Sequence, residues 1–365
     1  NPGQAFGMLM NQQRVNLGPG FDPTPGVTDN WRTELRVDWT LWSPERKARD
    51  QAAEAGALGA SEQVQFVESE LRNAGVQAWF GLQAVRALKD VQDESILVVE
   101  ERLRQTQKRM ELGAALRADV LRLQVRLAQA QHRAAQADLN VQMALSGLNR
   151  LMARGPQEPL EIQDSARPEV AGFMPPIENL DEMIALALEQ RRDLRAAQQE
   201  VQRLQFESKA AQRAGGPSVT AFGAYDIDGH DLDMDTDLDS YTLGLSLYVP
   251  LSKRIPARQA ASRAQLMGAR AQLDSLALRI QDQVNNAHHN LRVAKVQLEL
   301  ANSAVGTAEE AYRILAEAQD AGGATVTDVL EAQDARRQAR VARVAAEFNV
   351  QVAQAQLAQA LGLLW

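Results

Sequence analysis

The carboxylates stand out first among residue types that do chemistry. Asp119 follows a turn at Gly113, and Asp328 and Glu331 follow the turn Gly322-Gly323. Asp119 and Asp328 fit the first turn of a helix, where a negative charge interacts well with the helix dipole. A second acidic group, Asp226, Asp228, Asp231, Asp233, Asp235, Asp237 and Asp239, suggests a calcium site or lipid-bridging cations. Its spacing does not match an EF-hand loop, and a solvated hairpin loop is the plainer reading. His288 and His289 are adjacent and point about 100° apart on a helix, so they cannot share a metal; His132 and His230 stand alone. The absence of cysteine removes thiolate nucleophiles and disulfides. No His–carboxylate pair at useful spacing, phosphate-cradling glycine loop or nucleophile elbow is present, so no catalytic residue, metal site or cofactor is expected.

Long elements have to hold these carboxylates in place. The 365 residues carry 45% hydrophobic but only 5% aromatic residues, a composition of extended helices packed through narrow seams. A net charge of −8 and the lack of a basic stripe exclude a nucleic-acid surface. No run of about 18 apolar residues exists, which excludes a spanning helix but not β-hairpins.

A shift of 209 residues lays one half of the chain on the other. Ala48, Arg49, Ala52 and Ala55 meet Ala257, Arg258, Ala261 and Ala264, and Gly113, Asp119, Val120, Leu121 and Gln124 meet Gly322, Asp328, Val329, Leu330 and Gln333. In front, Ala5-Phe6-Gly7 meets Ala221-Phe222-Gly223 only at a shift of 216. The first repeat spans 1–153, an irregular proline-rich link 154–176, and the second repeat 177–365. The second copy is preceded by a helix over 178–214; its counterpart before the first copy is expected to be missing from this chain.

Within each repeat the periodicity switches from two to three-and-four. Trp31, Leu35, Val37, Trp39 and Leu41 share one face of a strand against charged residues, and Tyr241, Leu243, Leu245, Leu247 and Val249 share one face of another. These strands close hairpins over 4–42 and 217–251, and both read as lipid-facing barrel strands with a watery interior. The strand parity disagrees with the 209 shift, which implies a one-residue insertion or deletion around Pro44 and Lys253. Helices follow over 45–112 and 118–153, then 257–321 and 327–361; at 1.5 Å per residue the longer ones span roughly 100 Å. Two coiled-coil seams are legible: Val120, Leu123, Leu127, Ala130, Ala134, Ala137, Val141, Ala144 and Leu148, and the run Val284, Ala287, Leu291, Ala294, Leu298, Ala301 and Val305. Gly113 and Gly322-Gly323 end the long helices, and Thr325 or Thr327 caps the last one.

This order of strand, strand, long helix, glycine turn and shorter helix, given twice, resembles the TolC family of outer-membrane efflux and secretion channels. The pieces that carry the resemblance are the tip from Gly322 to Gln333, Arg192-Asp193-Leu194, the stretch Leu243 to Leu251, and Ala360-Leu361-Gly362. It implies a mainly α protein with a β-barrel part. Three protomers would share a twelve-stranded transmembrane β-barrel and an α-barrel crossing the periplasm. A homotrimer in the outer membrane of a diderm bacterium follows. Its tips Leu112, Gly113, Ala114, Ala115, Leu116 and Ala321, Gly322, Gly323, Ala324, Thr325 would face a periplasmic adaptor and an inner-membrane transporter. By the same resemblance Asp328, Glu331 and Asp119 fall at a periplasmic gate, where a carboxylate ring favours cations and can bind a blocking metal ion. Ala324 and Gln319 replace the arginine and tyrosine that latch the gate in some members, and Arg122 stands opposite Glu331. The resulting expectation is a passive export duct. The alternative is a periplasmic coiled-coil scaffold or adaptor, which has no reason to expose Trp31, Leu35, Val37, Trp39 and Leu41 on one face.

Overall fold

The computed structural model describes residues 10, 18–19, 31–162, 179–229, 239–250 and 254–363. The first strand expected in the hairpin over 4–42, His230 and most of the aspartate-rich loop, and most of the linker over 154–176, lie outside the described residues. The elements run β1 (Trp31–Trp42), α1 (Pro44–Glu111), α2 (Arg117–Leu151), α3 (Leu180–Gln190), α4 (Arg192–Arg213), β2 (Ser218–Gly229), β3 (Asp239–Tyr248), α5 (Ile255–Asp320) and α6 (Val326–Ala360).

The chain forms two compact units, one of residues 1–58 and 199–271, the other of 59–198 and 272–365. The first holds an antiparallel sheet in the order β1-β2-β3. Rows across it match in chemistry: Leu35 opposes Tyr225, which opposes Tyr241; Val37, Gly223 and Leu243 form the next row; Trp39, Ala221 and Leu245 the next. The opposite face carries Arg36, Ala224 and Thr242, then Asp38, Phe222 and Gly244. A Cβ at Gly244 would lie 2.6 Å from Phe222 Cζ, so glycine opens the space that the Phe222 ring occupies. Arg36 covers that ring at 4.5 Å from its centroid.

The register slips between Thr40 and Trp42. This bulge adds one residue to β1 and turns Trp42 to the face of Val219 and Leu247, so the extra residue sits at the end of the strand, just before Pro44; Lys253 lies outside the described residues.

In the second unit, the heptad positions read from the sequence are the ones that pack. Ile280, Val284, Ala287, Leu291 and Ala294 of α5 meet Val350, Ala353, Leu357 and Ala360 of α6 and Met183, Ala187 and Leu194 of α3 and α4. On its other side α6 gives Ala355 and Ala358 to Phe80 of α1. On α2 the buried Val120, Leu123, Ala130, Ala134, Ala137 and Leu148 keep steps of three and four. Alanine at so many seam positions lets backbones approach closely while each contact buries little area.

One expected element differs. The single helix over 178–214 is two, because the backbone leaves helical geometry at Arg191 (φ −66, ψ 124). The cause is the Arg191 side chain, which turns inward. It forms two hydrogen bonds to the Asp193 carboxylate, at 2.9 and 2.6 Å, and one to Gln283 Oε1 at 2.7 Å.

Candidate functional sites: an exposed apolar sheet face and two helix-hairpin tips

One face of the sheet is apolar and exposed. Leu35, Val37, Trp39 and Leu41 on β1 and Tyr241, Leu243, Leu245 and Leu247 on β3 are all exposed, Leu243 at 83%. Trp31 opens β1, and its side chain lies outside what the structure describes. Val249, expected on the same strand face, lies one residue beyond the end of β3 and is exposed there. Water gains nothing from such a face, and its rows of leucine and aromatic side chains have the chemistry of a hydrocarbon contact. No helix among the described residues is long and apolar enough to cross a membrane.

The tips belong to the second unit. The α1 helix closes in a Schellman turn: Gly113 N donates to Met110 O at 2.9 Å and Ala114 N to Arg109 O at 2.7 Å, with Gly113 at φ +73. The α5 helix closes identically through Gly322 (φ +81), with Gly322 N to Gln319 O at 3.1 Å and Gly323 N to Ala318 O at 2.8 Å. Leu112, Gly113, Ala114 and Leu116 are exposed and Ala115 half-buried; Ala321, Gly322, Gly323 and Thr325 are exposed and Ala324 half-buried.

The starts of the next helices differ. Thr325 caps α6 in a full capping box: its hydroxyl accepts from Asp328 N at 3.2 Å, while Asp328 Oδ2 accepts from Thr325 N at 2.8 Å and from its hydroxyl at 2.7 Å. The Thr325 hydroxyl, then its amide, hold the Asp328 carboxyl below the ordinary aspartate value. The capping reading of Asp328 is therefore observed, and both bonds leave Oδ1 unused. Leu116, at the same place before α2, gives no side-chain cap and is 70% exposed. Replacing it with threonine restores the box with Asp119, and Leu116→Thr is expected to stabilise the protein by about 1 kcal/mol in thermal unfolding. An unchanged or lower midpoint would show that the leucine already serves the fold.

Glu331 is exposed, and Asp119 is half-buried with Arg122 Nη1 3.6 Å away. Arg122 also donates to Thr327 Oγ1 at 3.2 Å, so the starts of α2 and α6 lie together and bring the two carboxylate-bearing turns to one place. His288 and His289 have ring centroids 5.8 Å apart at 51°. No group of three or more metal-ligating side chains occurs among the described residues.

Sequence reasoning missed Arg191. It is 9% exposed, and its ion pair with Asp193 lies against the C-terminal turn of α6. There Gly362 adopts φ +72 in a third Schellman turn, and a Cβ on it would meet Arg191 N and Cγ at 3.1 Å. Two of the sequence pieces singled out above, Arg192-Asp193-Leu194 and Ala360-Leu361-Gly362, thus meet in space.

Paired hairpin tips on long seam-packed helices, and a sheet with one exposed apolar face, are features a channel-type outer-membrane protein needs. The chain belongs to the outer membrane efflux protein family, whose profile matches residues 6–154 and 183–363. It is 24% identical over 315 residues, covering 85% of this chain and 67% of the relative, to the outer membrane efflux protein BepC of Brucella suis biovar 1 (strain 1330). Its fold is similar to that of the outer membrane protein VceC of Vibrio cholerae, with a TM-score of 0.74, 17% identity, and coverage of 92% of this chain and 86% of that one. It is also similar to a structure of CusC, with a TM-score of 0.81, 16% identity and coverage of 95% and 80%. The protein is a member of an outer-membrane efflux channel family, and that family is one of ducts and not of enzymes.

Proposed function

We propose that three copies of this chain form a passive export duct through the outer membrane, with no catalysis of its own. The carrying observation is the sheet. Its outer face is fit for lipid, yet a three-stranded sheet in lipid has unpaired backbone edges that a bilayer does not tolerate. Closure by further strands from this chain and two others removes the edges, and the strand set expected from the resemblance makes twelve. Under this reading Leu35, Val37, Trp39 and Leu41 and Tyr241, Leu243, Leu245 and Leu247 contact outer-membrane lipid.

The tips are the second contact. Leu112 and Leu116 are apolar, 83% and 70% exposed, at the end of a helical hairpin, and we assign them with Gly322 to Thr325 to docking on a periplasmic adaptor and, through it, an inner-membrane pump. Asp119, Asp328 and Glu331 form the acidic part of the periplasmic entrance, and the unused Asp328 Oδ1 lets that residue both cap α6 and face passing ions. A double variant Asp328→Ala, Glu331→Ala tests this assignment in planar bilayers. The expected result is a larger conductance and weaker preference for potassium over chloride, because the narrowing charge is gone. Conductance and selectivity equal to the unaltered protein would remove these two residues from the entrance.

A further inference from the structure

Just beyond the entrance, three guanidinium groups converge on one carboxylate. Asp334 of α6 contacts Arg126 Nη1 of α2 at 3.2 Å, Arg337 Nε of α6 at 3.2 Å and Arg133 Nη1 of α2 at 3.7 Å. By a rise of 1.5 Å per residue this cluster is about 9 Å along α6 from Asp328. Three positive charges meet one negative charge, and the side chains are only about a third exposed or less, so solvent screens the excess incompletely.

Arg133 shows the imbalance most clearly. Its contact with Asp334 is too long for a hydrogen bond, and it makes no other among the described residues. Burial first, then the neighbouring Arg337 and Arg126, lower its affinity for its own proton, and Asp334 alone works against them. Asp334 offers two oxygens, and the hydrogen bonds from Arg126 and Arg337 take one each. The remaining N–H donors of the rigid Arg133 fork therefore have no protein acceptor among the described residues and, with the side chain 32% exposed, stay open to a ligand from solution.

We infer that the α2–α6 seam at Arg126, Arg133 and Arg337 binds a multivalent oxyanion of the phosphate class, with Asp334 as the competing internal counter-ion. Guanidinium forks match tetrahedral oxyanions in geometry, and a second anion would bring the cluster close to neutrality. The site does not depend on the duct reading, since it is built within one chain.

Thermal unfolding of the full chain in detergent, with inorganic phosphate, glucose 1-phosphate or chloride at matched ionic strength, tests it. Phosphate or its monoester is expected to raise the midpoint above the chloride value. Arg133→Gln should abolish that difference, while Asp334→Asn, by removing the competitor, should tighten phosphate binding by about tenfold. Response to both anions indicates recognition of the phosphate group itself, whereas response to glucose 1-phosphate alone indicates an esterified ligand. No difference between chloride and either phosphate in both the unaltered protein and Asp334→Asn would overturn the site. So would a phosphate effect that survives Arg133→Gln, which would place the ion elsewhere.

Discussion

Leu245→Arg is expected to abolish insertion into the outer membrane, while Ser246→Arg, one residue along the same strand, leaves it intact. The two side chains point to opposite faces of the sheet: Leu245 shares its row with Trp39 and Ala221, and Ser246 shares its row with Thr40 and Thr220. An arginine on a lipid-facing strand position costs about 2–4 kcal/mol at the bilayer midplane, and a lumen position carries no such penalty. In a closed trimer the cost is incurred three times, roughly 6–12 kcal/mol, which rivals the whole stability of a domain. Membrane fractionation reads the outcome. Equal insertion of both variants would mean that the apolar face does not meet lipid, and equal failure would mean that the sheet tolerates no charge on either side.

The second large effect is internal. Arg191→Ala leaves the Asp193 carboxylate, only 14% exposed, without its 2.6 Å partner and removes the bond to Gln283 that ties the α3–α4 break to α5. Removing one partner of a buried pair typically costs about 3–5 kcal/mol, because an uncompensated charge remains. The thermal midpoint should fall by many degrees, and Arg191→Ala with Asp193→Ala should recover part of the loss, since the double change removes both charges. A single variant as stable as the unaltered protein would reduce the Arg191 constellation to an incidental contact.

The sequence made the long helices and their seams visible because a three-four spacing of Val, Leu and Ala survives any detail of packing. The buried positions Val284, Ala287, Leu291 and Ala294 are those of the heptad. The repeat also located the turns. Shifted by 209, Gly113 becomes Gly322, and both take positive φ in the same Schellman geometry. The same shift carries Ala153 (φ 55) onto Gly362 (φ 72), where the first copy holds an alanine in the left-handed region and the second, pressed against Arg191, has glycine. What stayed hidden depends on partners distant in sequence. The helix break at Arg191 has no glycine or proline to announce it; it is set by Asp193 nearby and by Gln283, which belongs to another helix. The bulge at Thr40/Trp42 was detectable only as a parity conflict, because its position depends on pairing with β2. The arginine cluster around Asp334 is not legible in the sequence because Arg126 and Arg133 lie on one helix and Asp334 and Arg337 on another, and only the packing of α2 against α6 joins them. The aspartate at the second tip reads as either a cap or a gate residue in sequence, and its geometry as a cap leaves one oxygen for the other role.

The central proposal is that three of these chains close one pore, and the most direct measurement is the mass of the detergent-purified protein by light scattering, followed by single-channel recording on the same fraction. The expected result is a protein mass of roughly 120 kDa, three copies of the 40.1 kDa chain, and discrete, cation-preferring conductance from that fraction alone. A monomer or dimer that stays in solution without detergent and shows no conductance would contradict it, and would leave a soluble coiled-coil scaffold as the account of the long helices.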